Sequence, residues 1–393
     1  MQSFYLNLRT EIYFGRNSEA RTAEAVRKHG GGRILLVYGS GSVVRSGLLD
    51  RLTRQLADAG LFVETLGGVK PNPLLSLARE GVRKALDMGA DFILGVGGGS
   101  VIDTAKGIAL GAANPDVDIW RFWKNECKPQ QGLPVGAILT LAAAGSETSD
   151  SAVLTNDETM EKRGLSCELN RPRFAIMNPE LTFTLPRYQV TCGIVDIMMH
   201  TLDRYFTPTG GNETTDELSE AVLRTTIRNG TRAYSNSTEY EPMSELMWCG
   251  SLSHNSLTGL GAVADFATHQ LGHELSARFD AAHGASLSAV WGSWARAVYQ
   301  AKPSRFARYA RTVWGIVESD DLAAAQLGIE STLSYWRSID MPANFGELGI
   351  GVQPERIIYE LAHRCSFLGT RTIGSFKVLD EAAIEGIYRD ANR

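Results

Sequence analysis

The 393-residue sequence has no close pair of cysteines, no cluster of basic residues and no apolar run that approaches the length of a membrane span. Its five cysteines are an odd number spread along the chain, which excludes a disulfide framework and a zinc knuckle and favours a reducing compartment. Lys and Arg total 39 against 44 Asp and Glu, so nucleic acid is not an expected partner. Residues 1–16 lack the basic and apolar parts of a leader, and we expect a cytoplasmic protein that does not bind membranes.

The sequence also lacks the G-x-x-x-x-G-K-[ST] motif, which argues against an ATP-hydrolysing P-loop. Apolar residues make up 44% of the chain and charged residues 21%, the balance of a folded globular protein. A chain of this length is expected to form two domains, each with its own core.

Buried-strand patterns alternate with helical periodicity in the first half of the chain. Continuous apolar runs occupy 34–38, 91–96 and 134–141, and a rough alternation over 4–14 predicts an opening strand. Helical spacing follows the first two runs. This order predicts a parallel sheet with helices on both faces, that is, an α/β dinucleotide-binding domain over residues 1–187.

The pattern after about residue 185 is helical. Thr214 and Glu217 resemble a capping box that opens one of these helices. Residues 188–393 are therefore predicted to form an all-helical metal-binding and catalytic domain, and the absence of a linker predicts that the two domains share a cleft. Helices are expected over 188–206, 214–230, 242–259, 262–278, 285–301 and 354–365.

A run of three glycines, Gly97-Gly98-Gly99-Ser100, lies between a predicted buried strand and a helix. Backbone N–H groups at a helix N-terminus attract a pyrophosphate, and glycine permits both close approach and positive φ. The alternative is a tight turn that only needs glycine. Asp103 and Lys106 follow, and for either residue alone the simpler interpretation is a carboxylate near the helix dipole and a solvated charge.

The earlier loop Gly39-Ser40-Gly41-Ser42 is an incomplete dinucleotide fingerprint, because Val44 stands where a third glycine belongs. No acidic side chain is present to bind a ribose 2′-hydroxyl. Two hydroxyls and Arg45 are suited to a 2′-phosphate instead, so the loop favours NADP over NAD.

Five of the seven histidines lie between positions 200 and 283. Asp196 and His200 are four residues apart on a predicted helix, His269 and His273 repeat that spacing, and His283 follows a helix break. Three histidines and one aspartate suit Fe²⁺ or Zn²⁺. For a single pair at this spacing, the simpler interpretation is histidines that lie on the surface or are hydrogen-bonded in the core. Two such pairs together with a fifth histidine favour a metal site instead. The others, His254, His29 and His363, are interpreted as structural.

A nucleotide-binding half and a metal-binding half together indicate hydride transfer to or from a carbonyl that the metal polarises. The chain resembles the iron-activated (group III) alcohol dehydrogenases, in particular the branch of NADP-dependent butanol dehydrogenases and broad aldehyde reductases. The motifs that carry the resemblance are YGSGSVVRSG (38–47), KPNP (70–73), GVGGGSVIDTAK (95–106), ILTLAAAGSETSDSAV (138–153), MNPELTFTLP (177–186), VDIMMH (195–200) and ATHQLGHELSARFDAAHGAS (267–286).

The resemblance implies a role for each matching residue. Metal ligands are implied at Asp196, His200, His269 and His283, and a nearby proton-relaying catalytic histidine at His273. It also implies a small alcohol or aldehyde substrate and a homodimer formed through the N-terminal region. Ala142-Ala143-Ala144 departs from the Pro-Ala-Thr usual in this branch, which leaves the turn near the nicotinamide less constrained. Cofactor contacts are implied at Gly39, Ser40, Gly41, Ser42, Asn72, Gly98, Gly99, Ser100, Asp103, Thr140 and Lys162.

Three other functions fit part of the pattern. Relatives of dehydroquinate synthase use NAD and a metal for a lyase reaction, but they need a basic cluster for a phosphorylated acid, and only Arg204 and Arg278 lie near the histidines in sequence. An NADP-sensing module would leave the metal ligands without a role. A metal hydrolase would leave the glycine loops without one.

Overall fold

The computed structural model of the chain describes residues 1–39 and 41–393. The chain divides into two compact units. The sheet unit comprises residues 7–185 and Ser237–Ser251, and the helical unit comprises Met1–Leu6, Pro186–Asn236 and Leu252–Arg393. The domain boundary at residue 188 stays a prediction.

The sheet unit contains a parallel six-stranded sheet in the order β1-β8-β5-β4-β2-β3 and a separate antiparallel hairpin of β6 and β7. Strands alternating with helices produce this parallel order, since each connection must return to the same edge. The predicted α/β fold of this half is confirmed. The strands are β1 Glu11–Phe14, β2 Arg33–Gly39, β3 Phe62–Val69, β4 Phe92–Gly97, β5 Val135–Leu139, β6 Ser151–Asn156, β7 Glu161–Ser166 and β8 Phe174–Met177.

Helices cover both faces of this sheet. On β2, Ile34 and Leu36 belong to one apolar cluster with Leu52, while the intervening Leu35 belongs to a second cluster with Ile108. Alternate side chains therefore enter opposite cores, and the central strands read as continuous apolar runs. The helices before residue 186 are α1 Thr22–Lys28, α2 Ser42–Arg45, α3 Leu48–Asp58, α4 Leu75–Asp87, α5 Gly99–Ala113 and α6 Trp120–Trp123.

The remaining helices confirm the predicted helical character of the rest of the chain. They are α7 Arg187–Tyr205, α8 Glu213–Ser235, α9 Tyr240–His254, α10 Ala267–Phe279, α11 His283–Val298, α12 Pro303–Trp314, α13 Asp321–Ser338, α14 Glu355–Cys365 and α15 Glu381–Ala391. Short 3₁₀ turns lie at Ser18–Arg21, Glu168–Asn170, Pro179–Thr182, Leu257–Gly259 and Tyr299–Ala301. Within the described ranges, no helix is both long and apolar enough to cross a membrane.

The predicted opening strand over 4–14 was wrong in extent, because only Glu11–Phe14 is a strand. Its partner β8 is four residues long and offers no further backbone for pairing. The hairpin of β6 and β7 was not predicted. Its turn carries a recognisable signal, since the Asn156 side chain accepts a hydrogen bond from the Glu158 backbone N–H at 2.9 Å.

The predicted capping box at Thr214 is wrong. Helix α8 begins earlier, at Glu213, and Asn212 at its N-cap makes no side-chain capping bond. The Asn212 amide instead donates to the Gly261 carbonyl at 2.8 Å, so a tertiary contact replaces the local cap. Helices α12, α13 and α15 were not predicted. Helices α13 and α15 nevertheless carry a local signal, because the side chains of Asp320 and Asp380 accept hydrogen bonds from backbone N–H groups in the first turn.

Candidate metal centre and cofactor site

Three buried side chains of the helical unit bring potential metal ligands together. Asp196 and His200 lie one turn apart on α7, and His269 lies in the first turn of α10. One ligand atom from each lies within 4.8 Å of the others. Rigid helices therefore hold the three groups in place before any ion binds, which is what a tight metal site requires.

His283, the first residue of α11, completes the predicted set. Its Nε2 atom lies 3.7 Å from Asp196 Oδ1, and His269 Nε2 lies 3.8 Å from the same oxygen. The His283 side chain is 27% exposed, whereas Asp196 and His269 are almost fully buried. The structure thus gathers all four predicted ligand residues around one carboxylate.

The hydrogen bonds at this cluster leave suitable atoms for a cation. His200 Nδ1 lies 3.0 Å from the Asp196 carbonyl oxygen and 3.1 Å from Asp196 Oδ1, so this ring also reaches the shared carboxylate. Asp196 Oδ1 and His269 Nε2 are buried and form no hydrogen bond within the described residues. Buried polar atoms without partners are costly, and a divalent cation would satisfy both. The residues present therefore fit a metal of the Fe²⁺ or Zn²⁺ class.

Burial would raise the pKa of Asp196, but the charges of His200 and His283 outweigh it and hold that pKa well below its usual range. Burial lowers the pKa of His200 despite the neighbouring carboxylate. An ionised aspartate and a neutral imidazole are the forms that coordinate metals. These directions favour the metal-binding forms of Asp196 and His200. Burial would lower the pKa of His269, but the carboxylates of Asp196 and Asp203 outweigh it and raise that pKa.

Two further histidines lie beside the cluster. The His273 ring is half-buried, with its centroid 5.5 Å from that of His283 and 6.3 Å from that of His269. The His254 ring, interpreted as structural from the sequence, lies 4.1 Å from that of His200, and its Nδ1 is 3.1 Å from an Arg204 nitrogen. His273 is thus placed near the ligands without belonging to the buried triplet.

Sequence reasoning missed Asp203. Its side chain is completely buried, and its Oδ2 atom lies 2.5 Å from His269 Nδ1. A signal was available, because positions 196, 200 and 203 recur on one face of a helix.

The second glycine loop of the sheet unit opens α5, which begins at Gly99 with Gly98 at its N-cap. None of Gly97, Gly98 and Gly99 adopts a positive φ, so the expected use of positive φ there is wrong. Close packing explains these glycines. A Cβ on Gly97 would lie 2.5 Å from the Val101 side chain, and one on Gly99 would lie 3.0 Å from the Ala144 Cβ.

Lys106, which alone suggested a solvated charge, is fully buried, so that interpretation is wrong. Its ammonium donates to Ser146 Oγ at 2.8 Å and to the carbonyls of Ser149 and Ser151 at 3.1 and 2.6 Å. Asp103 accepts from the Ser146 hydroxyl at 2.6 Å and from the Val153 backbone N–H at 2.9 Å. Both carboxylate oxygens are therefore engaged in fixing residues 146–153 to α5.

A cavity of about 340 Å³ lies within the sheet unit. It brings Ser42 of the first glycine loop together with Thr140 after β5 and with the 178–185 segment. Arg51, which sequence reasoning missed, also lines it. The full lining is Asn17, Glu19, Ser42, Val43, Ser46, Leu48, Arg51, Thr140, Asn178, Glu180, Leu181, Thr184 and Leu185.

The other predicted cofactor residues that the structure describes do not line this cavity. Lys162 Nζ donates to Asn72 Oδ1 at 2.9 Å, and Asn72 adopts the left-handed conformation with φ of 55°. These two predicted residues therefore contact each other. Gly39, Gly41, Gly98, Gly99 and Ser100 lie in the two glycine loops at the ends of β2 and β4, and Ser40 falls outside the described residues.

The sequence profile of iron-containing alcohol dehydrogenases matches residues 9–179, and the profile of that family's C-terminal domain matches residues 190–391. The chain belongs to the iron-containing alcohol dehydrogenase family. It is thus an oxidoreductase of the alcohol dehydrogenase class, as the motifs predicted, and the lyase alternative is not favoured.

Curated relatives and solved structures agree with this assignment. The chain is 35% identical to the NADH-dependent butanol dehydrogenase A of Clostridium acetobutylicum over 99% of both chains. It is 32% identical to the NADPH-dependent aldehyde reductase YqhD of Escherichia coli over 89% of this chain and 90% of the relative. The crystal structure of NADH-dependent butanol dehydrogenase A from Thermotoga maritima matches with a TM-score of 0.96, at 31% identity, over 100% of this chain and 99% of that one. The predicted resemblance and the fold are confirmed.

Proposed function

We propose that the protein reduces short aldehydes to alcohols with NADPH, and catalyses the reverse oxidation, at a metal centre formed by Asp196, His200, His269 and His283. The observation that carries the proposal is a pair of buried ligand atoms, Asp196 Oδ1 and His269 Nε2. They lie 3.8 Å apart and form no hydrogen bond within the described residues. Such a site is costly to maintain unless a cation occupies it.

The metal is proposed to be Fe²⁺ or Zn²⁺, since both accept three imidazoles and one carboxylate. Bound at this site, it would polarise the carbonyl oxygen of the substrate and stabilise the charge that develops there. The four side chains would hold the ion and would not themselves exchange protons with the substrate. Elemental analysis of the purified protein identifies the metal.

His273 is proposed to pass a proton between solvent and the substrate oxygen. Its ring is half-buried beside His283, so it is both close to the ligands and accessible to water. An imidazole has one nitrogen that can accept a proton and one that can donate it, which suits this side chain to a relay.

NADP is proposed as the preferred cofactor, although the relatives named above include both NADH- and NADPH-dependent enzymes. The support is the first glycine loop, which carries no carboxylate between Gly39 and Arg45. The Arg45 guanidinium lies over that loop, because a Cβ on Gly41 would come within 2.4 Å of its Nη1 atom. A 2′-phosphate would receive a charge-assisted hydrogen bond from it.

The direct test mixes purified protein, NADPH and butanal, with the metal removed by a chelator and then restored as Fe²⁺ or Zn²⁺. We expect NADPH absorbance at 340 nm to fall only in the samples that contain metal. Oxidation of NADPH that is equally fast after complete removal of metal would contradict the metal mechanism. An absence of oxidation over a broad panel of aldehydes and ketones would contradict the reductase.

The substitution Arg45→Ala is expected to raise the KM for NADPH about tenfold or more, because a hydrogen bond between charged groups contributes about 1.5–3 kcal/mol. The KM for NADH should change less than twofold. Arg54→Ala removes an exposed arginine on the neighbouring α3, outside the first glycine loop, and it serves as the matched control. Equal changes in the two KM values would contradict the assigned preference.

A homodimer and a cytoplasmic location are proposed as well. None of the five cysteines forms a disulfide in the described part of the chain, which suits a reducing compartment. Sedimentation analysis of the purified protein measures the oligomeric state directly.

A further inference from the structure

Asp203 makes one contact that neither the cofactor chemistry nor the ligand set explains. It lies on α7, seven residues after Asp196, and its side chain is fully buried. Oδ2 lies 2.5 Å from Nδ1 of His269, whereas Oδ1 forms no hydrogen bond within the described residues. A buried carboxylate with one oxygen unbonded costs folding free energy, so stability alone does not account for it.

The contact determines which nitrogen of His269 is free. Because Nδ1 bonds to Asp203, Nδ1 carries the proton of the neutral ring, and Nε2 keeps its lone pair. Nε2 is the buried atom that lies 3.8 Å from Asp196 Oδ1. The Asp203 carboxylate therefore turns the correct nitrogen of His269 toward the other ligands.

The backbone of the same residue fixes the start of α10. The Asp203 carbonyl oxygen accepts a hydrogen bond from the Asp265 N–H at 2.7 Å. The Asp265 carboxylate accepts from the N–H of Ala267 at 2.9 Å, and Phe266 between them is held at φ of 56°. Left-handed backbone is unfavourable for phenylalanine and persists where surrounding bonds over-determine it.

We propose that Asp203 is a positioning residue of the metal centre. It sets the orientation and tautomer of His269 through its side chain, and it sets the start of the helix that carries His269 through its carbonyl. This inference rests on the metal site of the proposed function. Partners of this kind make the ligand more basic, and removing one typically weakens metal binding 10–100-fold.

The test measures the Zn²⁺ dissociation constant by competition with a chromogenic chelator, without substrate or cofactor. We expect Asp203→Ala to raise that constant at least about tenfold. Asp203→Asn keeps an acceptor for the Nδ1 proton but loses the charge, so its constant should lie between those of the native protein and Asp203→Ala. Circular dichroism confirms that each variant is folded before titration.

Asp216→Asn is the matched control, because Asp216 is also a buried aspartate of the helical unit but pairs with Arg305 at 2.6 Å instead of a ligand histidine. It should lower the melting temperature without weakening Zn²⁺ binding. If Asp203→Ala does not fold, a Zn²⁺ dissociation constant at least about threefold higher for Asp203→Asn than for the native protein supports the inference.

An unchanged constant in a folded Asp203→Ala variant, or in Asp203→Asn where the alanine variant does not fold, would overturn the positioning role. Native protein that binds no Zn²⁺ would instead overturn the metal site itself. The two failures are therefore distinguishable.

Discussion

Replacement of His269 by alanine is expected to abolish metal retention and reductase activity together. His269 Nε2 is one of the two buried, unbonded atoms at the site, and alanine offers no ligand in its place. Loss of the metal removes several kcal/mol of transition-state stabilisation, where each 1.4 kcal/mol is a factor of ten. The value of kcat/KM should therefore fall by at least about a hundredfold.

The metal content of the purified variant and its kcat/KM for butanal are the two measurements. His363→Ala is the control, since His363 lies on α14 of the same unit and bonds to Glu381 at 3.0 Å. It should keep both metal and activity. A His269→Ala variant without metal that still turns over at the native rate would refute the assignment of the site.

Replacement of Lys106 by methionine is expected to lower the free energy of unfolding by about 3 kcal/mol or more. The ammonium has three donors, and all three are used by Ser146, Ser149 and Ser151. Methionine fills a similar volume but donates to none of these three oxygens and leaves Asp103 without its neighbouring cation. A hydrogen bond to a charged group contributes about 1.5–3 kcal/mol, so the loss of three accounts for about 3 kcal/mol or more.

Urea denaturation measures this loss, and fluorescence titration with NADPH should show weaker binding, because residues 146–153 lie shortly after Thr140, which lines the cavity. Lys84→Met is the matched control. Lys84 is partly exposed and pairs with Glu64 at 3.3 Å, so its loss should change the stability by less than about 0.5 kcal/mol. A loss below about 1 kcal/mol for Lys106→Met would contradict the anchoring role.

The stability conferred by Lys106 should depend on pH in a defined direction. Burial lowers its pKa to about 8, and the attraction of Asp103 opposes that shift only in part. The unfolded chain therefore keeps the Lys106 proton to higher pH than the folded protein does. As a result, the free energy of unfolding of the native protein rises as the pH increases above about 8. The difference in stability between the native protein and Lys106→Met should widen from pH 8 to pH 10. A constant or narrowing difference would contradict this.

Much of the fold followed from local pattern. The run Ile34–Tyr38 and the run Asp91–Val96 predicted central strands because strands buried on both faces carry apolar residues without interruption. The hairpin of β6 and β7 escaped prediction because its second strand, Glu161–Ser166, is largely polar and only one of its residues is buried. Pattern reasoning detects burial, and a strand with little burial leaves a weak pattern.

The candidate metal site shows a similar division. The spacing of Asp196 and His200 predicted one shared helix face, and the family motifs placed His269 and His283 with them. Asp203 and His254 were missed as neighbours of the ligands, since Asp203 contacts His269 across 66 positions and the His254 ring contacts that of His200 across 54. Lys106 was misread for the same reason, because its partners lie 40 to 45 residues further along the chain.

By itself, the sequence determined the alternation of strands and helices, the two glycine loops, the concentration of histidines and the family. These features depend on residues close together in the chain, where periodicity and spacing act directly. Only the tertiary structure decided which charged side chains are buried and which nitrogen of His269 faces the other ligands. Burial and hydrogen-bond partners are properties of the packed chain, since an imidazole or an ammonium takes its role from the groups that folding places around it.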